Sequence, residues 1–182
     1  MSDERFDVLD ESGQKLGKVL HRDEVHRRGL WHKSAHVWII NSKQELLLQK
    51  RAPQKETSPN MWDISVAGHV PAGETPISAA IREAQEELGL HLEDKDFRHL
   101  FTVTQEKKVR NDYINREFND VYLVSGDFNP STFLLQEEEV SEVKYIDYRK
   151  LESLLAAKYP DYLDHPDEFR ELFKYLHKKY RN

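Results

Sequence analysis

The chain has 182 residues, of which 38% are hydrophobic and 33% are charged, a balance typical of one soluble globular domain over residues 1–182. The formal net charge of −6 argues against a protein that grips nucleic acid in a basic groove, and the lack of cysteine excludes disulfides, thiolate zinc sites and cysteine nucleophiles. The first residues lack the apolar stretch of a secretion signal and no run could cross a bilayer, so we expect a cytoplasmic protein without membrane contact.

The first third of the chain predicts β-structure. Two short β-type runs within residues of about 5–21 flank a turn-like segment, which indicates a hairpin with Gly13 in the turn. Three more β-type runs follow, at residues 36–40, 45–49 and 63–67. The first two of these are separated by the turn-like residues 41–43 and form a second expected hairpin, and the third run ends at Gly68.

A helix is predicted over Pro76–Leu88, where the pattern changes to a helical period. Thr75 is a suitable N-cap with proline at the first helical position, and Gly89 is a suitable stop. Apolar residues recur at steps of three and four and form one stripe, made of Ile77, Ala80, Ile81, Ala84 and Leu88.

The second half of the chain predicts further strands and two closing helices. A charged segment at 106–117, flanked by apolar runs, is expected to be a loop that influences specificity. The other expected elements are β-type runs at 100–103, 121–124 and 143–146 and helices near 149–158 and 168–179, the latter two within about 149–180. The chain is therefore expected to be a mixed α/β domain.

Three glutamates mark the most informative part of the predicted helix. Glu83, Glu86 and Glu87 are spaced so that their carboxylates crowd one face, largely away from the apolar stripe. Such crowding favours a hard divalent cation, with Mg²⁺ as the first expectation and Mn²⁺ as an alternative. The competing interpretation is a solvated helix face in which Arg82 pairs with Glu86, and it would be preferred if the glutamates stood alone.

The surrounding segment resembles the Nudix box, which is a glycine, five residues, a glutamate, seven residues, Arg-Glu, an apolar residue, any residue, Glu-Glu, any residue, a glycine and an apolar residue. The residues that fill its defined positions are Gly68, Glu74, Arg82, Glu83, Ala84, Glu86, Glu87, Gly89 and Leu90. The resemblance covers roughly residues 31–148 and implies a Nudix-type α/β/α sandwich with a mixed β-sheet.

The same resemblance implies roles for individual residues. The metal ligands would be Glu83, Glu86, Glu87 and the carbonyl oxygen of Gly68. Arg82 would hold a glutamate in place, whereas Glu74 and Gly89 would have structural roles within the motif. The general base stays open, because Glu83 and Glu86 compete with the acidic run 137–139, in which Glu139 is the candidate for a distal base or an additional metal ligand.

Residues outside the box resemble the branch of Nudix folds that contains isopentenyl-diphosphate isomerases. The residues that carry this likeness are the segment 62–69, His32, Trp38, Lys50, Arg51 and Lys55. The isomerases use a cysteine directly before the Gly-His pair, where this chain has Ala67. Alanine cannot exchange a proton, so isomerase chemistry is expected to be lost while the hydrolytic box is complete.

Histidines and other cations are further candidates for the site. His32 and His69 match isomerase metal ligands, although a histidine bonded to the backbone is an equal alternative, and His26 and His36 are weaker candidates. The residues expected to meet substrate phosphates are Lys50, Arg51, Lys55 and His69, with solvated surface as the competing interpretation. Trp62 or Tyr113 could stack on a base, with core packing as the alternative.

The leading hypothesis is metal-dependent hydrolysis of a diphosphate linkage in a small molecule, namely a nucleoside diphosphate or a compound linked to one. The first alternative is an isoprenoid diphosphate enzyme, prompted by the isomerase-like flanks. The second is a Nudix module that binds nucleotides without turnover. A homodimer is compatible with the sequence, which does not determine the oligomeric state.

Overall fold

A computed structural model describes residues 4–181 of the chain. Its strands are β1 (Arg5–Leu9), β2 (Lys15–His21), β3 (His32–Ile40), β4 (Glu45–Arg51), β5 (Trp62–Asp63), β6 (Val66–His69), β7 (Phe97–Arg110), β8 (Tyr113–Ser125) and β9 (Val140–Asp147). Its helices are α1 (Arg22–Arg28), α2 (Pro76–Leu88), α3 (Tyr148–Ala156) and α4 (Pro166–Lys179). None of these helices is long and apolar enough to pass through a membrane.

The predicted N-terminal hairpin is confirmed. Strands β1 and β2 pair antiparallel, with Arg5 opposite His21, and Gly13 lies in the turn with φ of 84°. Helix α1 follows directly and was not predicted. Its seven residues are mostly charged and bury only Val25 and His26, so the sequence carries too little apolar periodicity to reveal it.

The seven remaining strands form one mixed sheet between two helical layers. Strands β3 and β8 run parallel, whereas the other pairings in the sheet are antiparallel. The core on one face of the sheet contains α2 residues such as Ala80 and Ala84, and the core on the other face contains Leu151 of α3 and Leu172 of α4. The predicted α/β/α sandwich is therefore confirmed.

The sheet opens between β3 and β4. Strands β3 and β4 pair where Ile40 lies opposite Leu46. Away from this point the two strands separate, and β3 pairs with β6 whereas β4 pairs with β5 and β9. Ser65 bridges the strands where they separate, because its hydroxyl accepts from Ile39 N at 2.9 Å and donates to the Leu47 carbonyl at 2.7 Å. We call the resulting gap between β3 and β4 the wedge.

Two predicted elements differ from the structure. The expected strand at 63–67 is divided into β5 and β6, because the chain crosses the wedge between them to reach a different partner. The charged segment 106–117 is not a loop but the outer part of a β7–β8 hairpin, with Arg116 and Glu106 joined across the strands at 2.7 Å. Charged side chains on both faces conceal a strand from any test based on apolar alternation.

The closing elements are present with shifted bounds. Strand β9 is longer than the expected run, and α3 begins at Tyr148 behind an Asp147 cap whose side chain accepts from two backbone N–H groups. Helix α4 begins with Pro166, two residues earlier than expected, because proline suits the first helical position. Together α3 and α4 cover the face of the sheet opposite α2.

Candidate active site

A cavity of about 670 Å³ opens at the wedge. Its walls come from β3, β6, the polar face of α2, the β7–β8 hairpin and the segment that precedes α4. A volume of this size is in the range of small-molecule sites. The cavity therefore brings together segments that are far apart in the sequence.

Helix α2 is held at both ends. Thr75 Oγ1 accepts from Ser78 N at 3.2 Å and Ser78 Oγ accepts from Thr75 N at 3.0 Å, a reciprocal cap. At the other end Gly89 has φ of 69°, and a Cβ there would lie 2.8 Å from Cβ of Leu134. The apolar stripe is buried against the sheet, so the glutamate face is directed to the cavity.

Glu83 and Glu87 are the more enclosed carboxylates. Glu87 is 4% exposed and accepts a hydrogen bond from Gln49 Nε2 at 3.3 Å. Burial, followed by the charge of Glu83, raises the pKa of Glu87 well above its ordinary value. Burial also raises the pKa of Glu83 to about 7, against the opposing effect of Arg82.

Gly68 permits the close approach of Glu83 to β6. A Cβ at Gly68 would lie 2.2 Å from Cδ of Glu83, so any larger residue would displace that carboxylate. The glycine of the box is thus explained by packing, independently of any role for its carbonyl oxygen.

Arg82 braces the acidic face. Its guanidinium donates to Glu83 at 2.8 Å and to Glu86 at 3.0 Å, lies 3.6 Å from Glu74, and reaches the carbonyl of His69 at 3.4 Å. The geometry therefore accommodates the role that the resemblance implied for Arg82, and it places Glu74 beside it.

The donor set suits a hard divalent cation. Of the three glutamates, Glu83 and Glu86 share one arginine, whereas Glu87 is buried with an amide as its side-chain hydrogen-bond partner among the described residues. Lys55 offsets only part of the cost of ionising the buried Glu87, whose pKa stays raised, and a divalent ion bound by oxygen ligands would offset the remainder.

The predicted phosphate-binding cations divide into two groups. Lys55, Arg51 and His69 line the cavity, but Lys55 forms an ion pair with Glu139 and Arg51 donates to Asp63 at 3.3 Å. Lys50 lies outside the cavity lining, 3.8 Å from Glu142.

The two aromatic candidates for stacking on a base, Trp62 and Tyr113, lie in different surroundings. Trp62 is 9% exposed and belongs to the core, with Lys144 Nζ 3.6 Å from its ring centroid. Tyr113 lines the cavity and stacks on His26, with centroids 4.3 Å apart. The core alternative thus describes Trp62, whereas Tyr113 is placed where a substrate could reach it.

Three histidines meet beside the glutamates. A ring nitrogen from each of His26, His32 and His69 lies within 4.8 Å of those of the other two. Glu117 faces them, with one oxygen 3.2 Å from His69 Nε2 and 3.6 Å from His32 Nε2. Sequence reasoning missed Glu117, whose place opposite His32 follows from the parallel β3–β8 pairing.

Two of these histidines, His26 and His32, contact the backbone through one ring nitrogen, and the second ring nitrogen of each is available as a ligand. His26 Nδ1 lies 2.9 Å from the Arg22 carbonyl and His32 Nδ1 lies 3.0 Å from the Leu30 carbonyl, which leaves each Nε2 buried without a hydrogen-bond partner in the part of the chain described. Burial, followed by His69, lowers the pKa of His26 to about 3, so its ring is neutral as a metal ligand requires.

Comparison with known proteins identifies the family. The model of the NUDIX domain matches residues 30–167, which include the glutamate helix and most of the cavity lining. The chain belongs to the Nudix family. It is 44% identical over 187 residues to Nudix hydrolase 3 of Arabidopsis thaliana, an alignment that covers 98% of this chain and 24% of the plant protein. The chain thus spans about a quarter of that relative's length.

Two further relatives extend the comparison. The isopentenyl-diphosphate Delta-isomerase of Pectobacterium atrosepticum is 33% identical over 138 residues, covering 76% of this chain and 73% of the isomerase. The crystal structure of DR0079 from Deinococcus radiodurans matches with a TM-score of 0.71 and 26% identity, over 98% of this chain and all of that chain. The expectation of a Nudix family member similar to the isomerase branch is confirmed, and Ala67 lines the cavity of this Nudix chain.

Proposed function

We propose that this Nudix hydrolase cleaves a diphosphate linkage with the help of divalent cations, Mg²⁺ first and Mn²⁺ as the alternative. The ligands would be the carboxylates of Glu83, Glu86 and Glu87 and the carbonyl oxygen of Gly68. The observation that carries the proposal is the buried Glu87, which faces the cavity beside two further carboxylates and lacks a cationic hydrogen-bond partner among residues 4–181. Bound cations would neutralise the diphosphate and activate a water molecule.

Other side chains would position the metal ligands and contact the substrate phosphates. Arg82 holds Glu83 and Glu86 in one orientation, and Gln49 orients Glu87. Positioned donors that meet developing charge lower the barrier to phosphoryl transfer. We assign the phosphate contacts to Lys55, Arg51 and His69.

The general base lies among Glu83, Glu86 and Glu139. Burial raises the pKa of Glu83 to about 7 in the metal-free protein and a bound cation would lower it again, whereas Glu139 lines the same cavity and is paired with Lys55. The variants Glu83→Gln, Glu86→Gln and Glu139→Gln distinguish them, because only loss of the base removes the limb of the pH–rate profile that reports its titration.

The proposed substrate is a nucleoside diphosphate or a compound linked to one. Tyr113 lines the cavity wall, and because His26 and Arg110 already contact its ring, a base would meet its edge or displace Arg110. A panel of nucleoside diphosphates, nucleoside diphosphate sugars and dinucleotides, assayed with Mg²⁺ and with EDTA for release of a nucleoside monophosphate together with phosphate, a sugar phosphate or a second mononucleotide, tests the assignment. Glu86→Gln should abolish turnover while the exposed Glu93→Gln should not, and equal activity of both variants would contradict the site.

An isoprenoid diphosphate is the second candidate. It is supported by the cluster of His26, His32 and His69 and by the isomerase relative. Incubation with isopentenyl diphosphate separates the outcomes: phosphate release would favour hydrolysis of this substrate class, and a rearranged double bond would show that Ala67 does not prevent isomerisation. Tight nucleotide binding without turnover under any divalent metal would instead favour a binding module.

A further inference from the structure

A pair of histidines separate from the first three lies in the same cavity, outside the Nudix box. His36 is on β3 and His165 precedes α4, and their ring centroids are 5.9 Å apart. Each ring is backed by a buried carboxylate: His36 Nδ1 lies 2.7 Å from Glu168, and His165 Nε2 lies 2.9 Å from Asp63. This arrangement fixes both rings from behind.

The carboxylates favour the charged form of both rings. Although burial opposes ionisation, Glu168 raises the pKa of His36 to about 9. Asp63 likewise raises the pKa of His165 above its ordinary value despite burial. Arg51 also contacts Asp63 at 3.3 Å, and Glu117 adds a further negative charge near His36, so the ring nitrogens rather than a net positive charge would attract an anion here.

Each ring has one nitrogen left for another molecule. His165 Nδ1 is buried without a hydrogen-bond partner, and no residue among 4–181 forms a hydrogen bond with Nε2 of His36. Glu168 cannot turn to a second role, because its other oxygen accepts from Trp38 Nε1 at 2.8 Å. A buried N–H without an acceptor costs about 1–3 kcal/mol, which favours an anionic ligand at this place.

The pair lies close to the proposed reaction centre. His36 is opposite Ala67 in the β3–β6 ladder, and Ala67 adjoins the glycine that contacts Glu83. His165 also lines a neighbouring groove of about 290 Å³ between β7 and the start of α4. A substrate that leaves the glutamate helix along this wall therefore passes both rings.

We infer that His36 and His165 form an anion subsite that receives phosphoryl oxygens of the substrate on the wall facing away from α2. The inference rests on the proposed function, since it assigns a second set of phosphate contacts to the same diphosphate. The competing interpretation is a purely structural pair of ion pairs that attaches α4 to the sheet.

Nuclear magnetic resonance of the unmodified protein separates these interpretations. Ring nitrogens labelled with ¹⁵N are followed while inorganic phosphate is added, once with Mg²⁺ and once with EDTA. A subsite predicts saturable shifts at His36 and His165 in at least one condition, and none at His177, which forms a similar pair with Glu152 on the surface. Unchanged resonances at both cavity rings in both conditions would overturn the inference.

Kinetics give an independent test. His36→Gln and His165→Gln each remove one imidazole donor, so KM for the best diphosphate substrate should rise about tenfold with kcat changed less than about twofold. His177→Gln serves as the matched control and should leave KM unchanged. Folded variants with an unchanged KM would contradict the subsite.

The two proposals fail separately. If Glu86→Gln abolishes hydrolysis while both cavity histidine variants keep their KM, the proposed function stands and the subsite falls. If His36→Gln does not fold, the titration of the unmodified protein decides, because it needs no substitution.

Discussion

The distance between Gly68 and Glu83 shows how one absent methyl group shapes this site. The carboxylate occupies the space that a Cβ would need, at 2.2 Å from its ideal position. Catalytic groups lose much of their effect when they move by about 1 Å. The glycine is therefore a geometric requirement of the strand as well as a match to a pattern.

Gly68→Ala should reduce hydrolysis about 100-fold, because it pushes Glu83 away from β6. Steady-state rates and Mg²⁺ affinity measure the effect. Gly73→Ala is the control, since that glycine has positive φ but no neighbour within 4 Å and tests backbone strain alone. Equal losses in both variants would refute the steric explanation.

Glu87→Gln should abolish activity and yet stabilise the metal-free protein. Burial raises the pKa of Glu87 in the folded state above 4.5, the ordinary pKa of a glutamate. Ionisation of Glu87 therefore destabilises the fold as the pH rises above 4.5. At pH 8 with EDTA, the melting temperature of the variant should be a few degrees higher than that of the parent, because each kcal/mol of added stability raises it by about 2–4 °C. Added Mg²⁺ should raise the melting temperature of the parent more than that of the variant.

At the scale of elements, α2 was predictable because its signals are local. Thr75, the apolar stripe and Gly89 lie within one short segment, and the structure has the helix at the predicted bounds. The glutamate spacing and the box lie in the same segment. Local capping and periodicity were sufficient here because no distant partner decides them.

Gly89→Ala should lower the free energy of unfolding by about 1–2 kcal/mol, because alanine is strained in the left-handed backbone conformation of this residue. The clash with Leu134 adds to this cost. Urea denaturation of Gly89→Ala in the parent and in a Leu134→Gly background separates the two effects, since Leu134→Gly removes the Cβ and Cγ that would lie at 2.8 and 3.3 Å but leaves the strain. A variant as stable as the parent would show that the helix end relaxes freely.

Other elements could not be predicted, because they depend on contacts between distant segments. The outer β7–β8 hairpin is held by cross-strand charges, and the break between β5 and β6 depends on the wedge. Glu117 meets His32 only through a parallel pairing across many residues. The resemblance already joined His32 and His69 as possible metal ligands, but the sequence did not show that His26 and Glu117 meet them.

At the scale of the molecule, buried ion pairs attach α4 to the sheet. Glu168 on α4 contacts His36 and Trp38 on β3, and His165 contacts Asp63 on β5. These pairs join the last helix to the cavity wall. Global stability and the shape of the cavity are thus linked through the same side chains.

Stability should therefore fall in alkaline solution. The pKa of His36 is raised from 6.5 to about 9 by Glu168 against burial, so its contribution is complete below pH 6.5 and is lost as pH rises through 9. This shift of the His36 pKa corresponds to a contribution of about 3 kcal/mol to the free energy of unfolding. Urea unfolding between pH 6 and 10 measures it, and a profile identical to that of a folded His36→Gln variant would contradict the assignment.

The wedge has an evolutionary consequence. The proposed metal ligands come from one continuous stretch of chain, residues 68–87, whereas other walls of the cavity belong to the β7–β8 hairpin and to the segment before α4. Mutations or insertions in those walls can alter which molecule enters while the acidic helix keeps its geometry. New substrate preferences can therefore arise in this architecture by exchanging its periphery, without reinventing the reaction.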